Sequence, residues 1–353
     1  MYYTASPDDH AARYLFRSPL TGEPSVERLT PRSESGFHEY EIATNSEWAF
    51  HTFSTLNKPP TVDIVSLPDH ASQRIIVDND KVEELLQATP QVETEFFTID
   101  IGDDIVLDAW MLKPPDFDPN KKYPLLMFVY GEPAAQTVIQ HWRSGRGDRH
   151  LWHKMLAQQG YIVASVDNRG TPAPRGRAWR KSIYGRVGTL AGDDQARAVR
   201  KLLAERPYLD PERVGSWGWS GGGQSTLHAM FRYPDIYRTG IAIAFVSDQR
   251  LYDTIYQERY MGLPDDNTEG FEQGSPLTHA AGLEGNLLLI HGTADDNVHY
   301  QSAEQLIDKL IQLNKSFTFM PYPDHSHSID EKPNTRRHMF TLMTNFLHEH
   351  LPR

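Results

Sequence analysis

The chain has 353 residues, enough for one large or two medium domains with a substantial core. Its net charge of −12 disfavours nucleic acid as a partner, and the absence of cysteine excludes disulfides, thiolate catalysis and cysteine-based zinc sites. No stretch approaches ~18 apolar residues and the N-terminus lacks a charged-then-apolar leader, so neither a membrane span nor a signal peptide is expected within this sequence.

Short β-prone runs occupy Tyr2 to Ala5, Arg13 to Arg17, Phe37 to Ala43, Trp48 to Leu56 and Thr61 to Leu67. Turn formers such as Thr21-Gly22-Glu23-Pro24 and Lys58-Pro59-Pro60 separate them, a pattern that predicts an antiparallel meander. Leu85, Leu86 and the segment up to Gln91 read as a short helix-like connection, so residues 1–90 and 91–353 are expected to be separate domains. Glu93 to Asp100 and Ile105 to Leu112 predict a hairpin. From Tyr123 onward, strands at Ile162 to Val166, Arg213 to Trp217, Ile241 to Phe245, Leu287 to Ile290 and Phe317 to Met320 alternate with helical stretches. Among the latter are Asp194 to Glu205, Ser302 to Leu313 and Arg336 to His350, and the alternation predicts a doubly wound α/β sheet. The basic run Arg169, Arg175, Arg177, Arg180, Lys181 and Arg186 reads as a solvated loop with a few ion pairs. Arg169 is expected to pair with an acid of Gly192-Asp193-Asp194-Gln195 and so to tie two loops together.

The most informative stretch is Trp217-Gly218-Trp219-Ser220-Gly221-Gly222-Gly223, between the apolar run Arg213-Val214-Gly215-Ser216-Trp217 and the helical run Gln224 to Met230. Strand, sharp turn and helix form the context of a G-x-S-x-G nucleophile elbow. Glycines flank the serine because a Cβ in so tight a turn would collide with strand or helix. The turn lifts the Ser220 hydroxyl clear of the sheet and aims the first helical N–H groups at a developing oxyanion. A serine needs a base to take its proton and an acid to orient that base. Asn286 to Ile290 reads as a buried strand ending in His291-Gly292-Thr293-Ala294-Asp295-Asp296-Asn297-Val298-His299. Ser316 to Tyr322 reads as a strand running into Pro323-Asp324-His325-Ser326-His327-Ser328-Ile329. The residues themselves leave two acids, Asp295 and Asp296, and two histidines, His325 and His327. Taken with His291 and His299, these groups match no common metal-ligand spacing, so neither metal nor cofactor is expected.

The run Gly218-Trp219-Ser220-Gly221-Gly222 resembles the serine motif of the prolyl oligopeptidase family. The run 291–299, together with Tyr252-Asp253-Thr254-Ile255-Tyr256-Gln257-Glu258-Arg259-Tyr260-Met261-Gly262-Leu263-Pro264, resembles its dipeptidyl peptidase IV branch. The likeness extends from about residue 94 to the C-terminus. It implies an α/β-hydrolase sheet, and the preceding antiparallel strands resemble the last blades of the β-propeller that comes before the hydrolase domain in that family. A closed propeller needs several four-stranded blades and there is room for barely two, so the chain is expected to be the C-terminal part of a longer protein.

Residue by residue, the resemblance implies Ser220 as nucleophile, Asp295 as orienting acid and His327 as base, with His325 left as a solvated loop residue. Tyr130, at the end of the apolar strand Tyr123 to Val129, would donate its hydroxyl to the oxyanion beside the N–H of Gly221. An unperturbed phenol, with a pKa near ~10, stays protonated for that role. Tyr252 and Tyr256, spaced i and i+4, would form the flat wall of a small apolar pocket with Val246 and Val298, of the kind that accepts a penultimate proline. Asn297 would bind the carbonyl of the substrate's first residue. Gly221 and Gln249 stand where mammalian members carry aromatics, which implies a roomier pocket, less strict for proline.

The implied activity is release of N-terminal Xaa-Pro or Xaa-Ala dipeptides from peptides with a free N-terminus. In the family, propeller glutamates hold the substrate amine. That segment is absent from this sequence, so no acid is assigned to the amine, neither Glu258 nor Glu132, and the chain alone is expected to be a weak esterase or amidase. The alternatives are another hydrolase of the same fold (oligopeptidase, acyl-aminoacyl peptidase or esterase) and a non-catalytic module built on a dead hydrolase. The helix Asn334 to His350 either carries a homodimer interface, as in the family, or packs on its own sheet. Family resemblance further implies a periplasmic or extracellular location.

Overall fold

The structure, a computed structural model, describes residues 1–23, 25–142 and 148–353. Pro24, the last residue of one expected turn, lies outside the described residues. The chain divides into two compact units, one of Met1–Gln91 with Val138–Leu151 and Ala173–Arg175, the other of Val92–Thr137, Trp152–Pro172 and Gly176–Arg353. The first unit thus takes in two short segments from within the range read as the hydrolase portion.

The first unit holds β1 (Tyr2–Ala5), β2 (Tyr14–Arg17) and β3 (Glu27–Arg28) in one small antiparallel sheet. β4 (Phe37–Ile42), β5 (Trp48–Ser54), β6 (Thr61–Ser66) and β7 (Ser72–Val77) form a four-stranded antiparallel meander, the form of a propeller blade. β3 and β7 were not expected from the sequence. Along β7 every residue is exposed, so its pattern lacks the apolar alternation that marks a half-buried strand. Leu15, Leu29, Ala49, Val65 and Leu67 make the apolar core of this unit. Beside it runs a buried polar chain, in which His38 meets His51 at 2.8 Å and His51 meets Asp63 at 2.9 Å. Burial and the neighbouring His51 hold His38 down to about 3, so its ring is neutral. The expected connection is the helix α1 (Asp80–Gln87).

The second unit is built on the strands β8 (Glu93–Asp100), β9 (Val106–Lys113), β10 (Tyr123–Phe128), β11 (Ile162–Asp167), β12 (Leu209–Trp219), β13 (Thr239–Ile243), β14 (Asn286–Gly292) and β15 (Thr318–Tyr322). Their order across the sheet is β15-β14-β13-β12-β10-β11-β9-β8. β10 to β15 are parallel, whereas β9 and β8 run antiparallel at one edge, as the hairpin pattern predicts. β10, β11 and β13 are buried along their whole length, which is why they read as unbroken apolar runs. This is the α/β-hydrolase sheet. The chain leaves β12 toward one side and β10 toward the other, so the carboxyl ends of these two neighbours open a crevice at the switch in strand order.

Helices cover both faces: α2 (Asp148–Gln158), α3 (Gly176–Lys181), α4 (Thr189–Glu205), α5 (Gly221–Arg232), α6 (Thr254–Met261), α7 (Thr268–Gln273), α8 (Pro276–His279), α9 (Gln301–Gln312) and α10 (Thr335–His350). α9 buries Ala303, Leu306 and Leu310, and α10 buries Met339, Met343 and Leu347, each one stripe of a helical period. The α10 stripe packs on its own sheet, and Trp152 Nε1 donates to Thr344 Oγ1 at 2.9 Å on that face. Among the described residues no helix is long and apolar enough to cross a membrane.

The pairing expected for Arg169 is present, and its partner is Asp194. The Asp194 side chain is fully buried; its Oδ1 accepts from Arg169 Nη2 at 2.7 Å, and its Oδ2 accepts from Nε and the backbone N–H at 3.0 Å. Arg169→Ala would leave a buried carboxylate with the backbone donor alone, because truncating one member of a buried pair strands the other charge. The expected result is a loss of about 3 kcal/mol, read as a drop of several degrees in the thermal midpoint. An unchanged midpoint would show that the pair does no structural work.

Candidate active site

β12 ends at Trp219 and α5 begins at Gly221, leaving Ser220 alone in the turn with φ 59° and ψ −121°, a conformation that non-glycine residues rarely adopt. Two backbone bonds hold it there. Ser220 N–H donates to Ile243 O at 2.8 Å, and Gln224 N–H donates back to Ser220 O at 3.0 Å. Gly222 must lack a side chain, since a Cβ on it would overlap the carbonyl oxygen of Val129 on the adjacent strand end. The consequence is a hydroxyl raised at the end of the sheet, beside the first N–H groups of α5, which have no helical acceptors.

The loop after β14 carries the acids, and burial separates them. Asp295 is buried, whereas Asp296 is exposed. Asp295 Oδ1 accepts from the N–H groups of Asn297 at 3.0 Å and Val298 at 2.9 Å. Its Oδ2 faces His327 Nδ1 at 2.8 Å and His291 Nε2 at 3.3 Å. Burial alone would raise this carboxyl. The hydrogen bonds from His291 and His327, the pull of His327 and the Asn297 N–H outweigh burial and hold the group well below the usual carboxylate range. An ionised acid on Nδ1 fixes the tautomer of His327 in which Nε2 is free to take a proton. His291 also donates from Nε2 to Val298 O at 2.9 Å, bracing the same loop. Nothing in the sequence pattern had given His291 this work.

The His327 loop is tied to the serine turn through Trp219, whose Nε1 donates to His327 O at 3.0 Å. His325 is not the solvated residue expected. It is buried, with Nδ1 on Glu331 Oε2 at 2.6 Å and Nε2 on Thr335 Oγ1 at 3.4 Å. Glu331 also accepts from the N–H of Ser326 at 2.9 Å and from its hydroxyl. Burial would raise Glu331, but the bonds from Ser326 and His325 hold it down to about 2. An acid six residues after a loop histidine was the available signal; it braces the turn that presents His327.

Tyr130 follows β10, next to β12 in the sheet, and its carbonyl accepts from Ser225 Oγ at 2.9 Å, which ties it to the first turns of α5. The tyrosines expected as a pocket wall come together, but not as a flat face. Their ring centroids are 5.3 Å apart and the planes cross at 76°. Asp253 caps α6 by accepting from Tyr256 N–H at 2.8 Å, so Tyr252 lies before the helix and the i, i+4 spacing does not run through one helical turn. Tyr252 donates to Asn297 Oδ1 at 3.2 Å, which leaves the Asn297 amide N–H groups for a carbonyl acceptor. Burial, then Asp253 and Glu132, push the Tyr252 phenol up to about 12. A cleft of about 410 Å³ opens here, lined by Leu251, Tyr252, Asp253, Asp296, Asn297 and His299. Val246 and Val298 lie beneath the surface as buried apolar residues.

Gln249 is turned inward and buried, with Nε2 donating to Gly274 O at 3.0 Å and Oε1 accepting from Gln257 at 2.5 Å. The room expected beside Gly221 is occupied as well. The carboxyl of Glu132, a residue not assigned from the sequence, sits against the Gly221 Cα, and Tyr256 donates its hydroxyl to Oε2 at 2.7 Å. Burial pushes Glu132 up to about 7, against the lowering effect of that hydrogen bond.

Comparison with known proteins places this chain among relatives. The profile of the prolyl oligopeptidase family matches residues 150–353. The chain is 34% identical over 331 residues to the protein named Prolyl endopeptidase FAP of Bos taurus, covering 92% of this chain and 42% of that one. It is 33% identical over 338 residues to the Probable dipeptidyl-aminopeptidase B of Aspergillus terreus, covering 93% of this chain and 35% of that one. The crystal structure of Porphyromonas gingivalis dipeptidyl peptidase 4 superposes with a TM-score of 0.90 at 35% identity, over 99% of this chain and 48% of that one. The chain therefore spans about two fifths of the length of these curated relatives and half that of the solved one.

Proposed function

Because this chain belongs to the prolyl oligopeptidase family of serine peptidases, we propose that it carries the catalytic centre of a serine dipeptidyl aminopeptidase releasing Xaa-Pro or Xaa-Ala from peptides with a free N-terminus. The observation that supports this most directly is the strained Ser220 turn, joined through Trp219 to a histidine that a buried, ionised aspartate orients. In this reading His327 Nε2 takes the Ser220 proton as Oγ attacks the scissile carbonyl. The oxygen becomes an alkoxide, stabilised by the Gly221 N–H and the Tyr130 hydroxyl. As the tetrahedral centre collapses, the C–N bond breaks and His327 returns the proton to the departing amine. Water, deprotonated by the same histidine, then hydrolyses the Ser220 ester and releases the dipeptide. Asn297, whose amide N–H groups donate to nothing among the described residues, would receive the carbonyl of the first residue. Tyr252, Tyr256, Val246 and Val298 would hold the penultimate side chain. We further propose action outside the cytoplasm and homodimer formation through the hydrolase unit.

A second reading has a specific basis, since one relative is named an endopeptidase and another an aminopeptidase. Release of p-nitroaniline from Gly-Pro-p-nitroanilide, compared with its N-blocked form and a p-nitrophenyl ester, separates the two. Preference for the free amine supports the aminopeptidase reading, and cleavage of the ester alone is the result expected if no acid of this chain holds the amine. Preference for the blocked substrate would replace the aminopeptidase reading by an endopeptidase or acyl-aminoacyl peptidase one.

A further inference from the structure

A buried acid is costly unless it is paired or put to use, and Glu132 is such an acid, lodged against Gly221 and under the hydroxyl of Tyr256. It is 6% exposed, and among the described residues its one hydrogen bond is from Tyr256. A Cβ built on Gly221 would fall 2.6 Å from Glu132 Oε2 and 2.8 Å from its Cγ, distances that no real Cβ tolerates. The space beside the residue after the serine is therefore taken by a side chain reaching from the β10 end. With Glu132 in this position residue 221 cannot carry a side chain without displacing the carboxyl. The same carboxyl fixes the hydroxyl of Tyr256, one of the tyrosines proposed to contact the penultimate side chain.

We propose that Glu132 is the specificity-determining residue of this pocket: its side chain supplies the wall that Gly221 lacks, and it sets the size and polarity of the penultimate residue that the site accepts. The proposal rests on the reading of Tyr252 and Tyr256 as the wall of the substrate pocket. With Glu132 in place the pocket closes on a residue of proline or alanine size. Without it, the pocket opens beside the reacting carbonyl, and larger apolar residues enter. Polarity follows from the same placement. The group that meets the carboxyl is the hydroxyl of Tyr256, the charge of Glu132 also bears on Tyr252, and no cation contributes to its surroundings among the described residues. Below about pH 7 it is a neutral acid compatible with proline. Above, it is a buried anion against Gly221 and opposes both an apolar side chain and the developing oxyanion.

The test uses the whole chain with dipeptide p-nitrophenyl esters carrying Pro, Ala or Leu at the penultimate position. Glu132→Ala is expected to raise the kcat/KM ratio of Leu to Pro at least tenfold, through a lower KM for Leu, a range typical of pocket-size discrimination. Glu132→Gln keeps the volume. It should hold the parent's Leu to Pro ratio within about threefold and remove the fall in Pro kcat/KM above about pH 7. Gly221→Ala should depress all three substrates, and adding Glu132→Ala should recover part of the loss, a coupling expected only of side chains that compete for one space. An unchanged Leu to Pro ratio in Glu132→Ala would overturn the proposal, as would an equal loss on every substrate. Thermal midpoints show whether a variant has simply lost its fold, in which case the Glu132→Gln pH profile decides. If Ser220 is required yet the ratio is unmoved, this inference alone fails. If Ser220 is dispensable, the reading of the site fails with it.

Discussion

Ser220→Ala is expected to lower kcat by about 10³-fold or more on every substrate, with KM little changed. The reasoning starts from what alanine keeps. It retains the Cβ, so the positive-φ strain is the same in both proteins, and the bonds from Ser220 N–H to Ile243 and from Gln224 N–H to Ser220 O involve backbone only. The turn, the helix start and the pocket should survive. What disappears is the one atom that can form an ester with the substrate. Residual turnover would then come from water attacking a carbonyl still polarised by the N–H of residue 221 and by Tyr130, which explains why the loss is finite. A fluorophosphonate probe gives an independent readout, with one equivalent bound to the parent and none to the variant. Turnover within tenfold of the parent would mean that Ser220 is not the nucleophile. It would also revive the view of the chain as a non-catalytic module whose elbow is a structural relic.

How much of this could be read from sequence depended on whether local spacing carried the information. The parallel strands β10, β11, β13 and β14 are buried on both faces, and so stood out as apolar runs flanked by helices with a clear 3.6-residue stripe. The serine turn was legible because steric crowding demands glycine at Gly222, and that demand is written in residue types. Burial was not legible where neighbours had the same chemistry. Asp295 and Asp296 differ only in which one the loop turns inward, a property of the backbone bonds to Asn297 and Val298. His325 looked like a solvated loop residue, because its partner Glu331 is supplied by the loop's own return rather than by regular periodicity. The tyrosine spacing is misleading because Asp253 ends the non-helical segment and caps α6, so the i, i+4 interval is not a helical turn. Glu132 was missed for a related reason. A charged residue just after a strand reads as exposed, and only the three-dimensional vacancy at Gly221 shows what draws it inside.

The vacancy and the acid pair also differ in how hard they can be tested, and the sharper case is Asp295. Asp295→Asn is expected to reduce kcat by about 10³- to 10⁴-fold while leaving the fold largely in place. In the parent, Oδ1 is committed to two backbone donors, and Oδ2 faces His327 Nδ1 at 2.8 Å and His291 Nε2 at 3.3 Å. An asparagine that keeps its oxygen on the backbone donors turns its NH₂ toward His327. Nδ1 must then act as acceptor, the proton moves to Nε2, and the histidine can no longer deprotonate Ser220. The flipped amide would set NH₂ against two N–H groups, which is worse. Either way His291 Nε2–H, already donating to Val298, meets a donor or loses an anion. Acid does not mimic this substitution in the ordinary assay range. Because Asp295 is held below its unfolded value, its contribution is complete above about pH 5 and is lost only in strong acid, so any loss of activity between pH 5 and 7 belongs to another group. Asp296→Asn is the matched control, an exposed carboxylate whose loss should change kcat by less than about threefold. Measuring kcat for both variants on one ester, with thermal midpoints alongside, decides the assignment. A large loss at Asp296 with none at Asp295 would move the orienting role to the exposed acid and require the loop to rearrange when substrate binds.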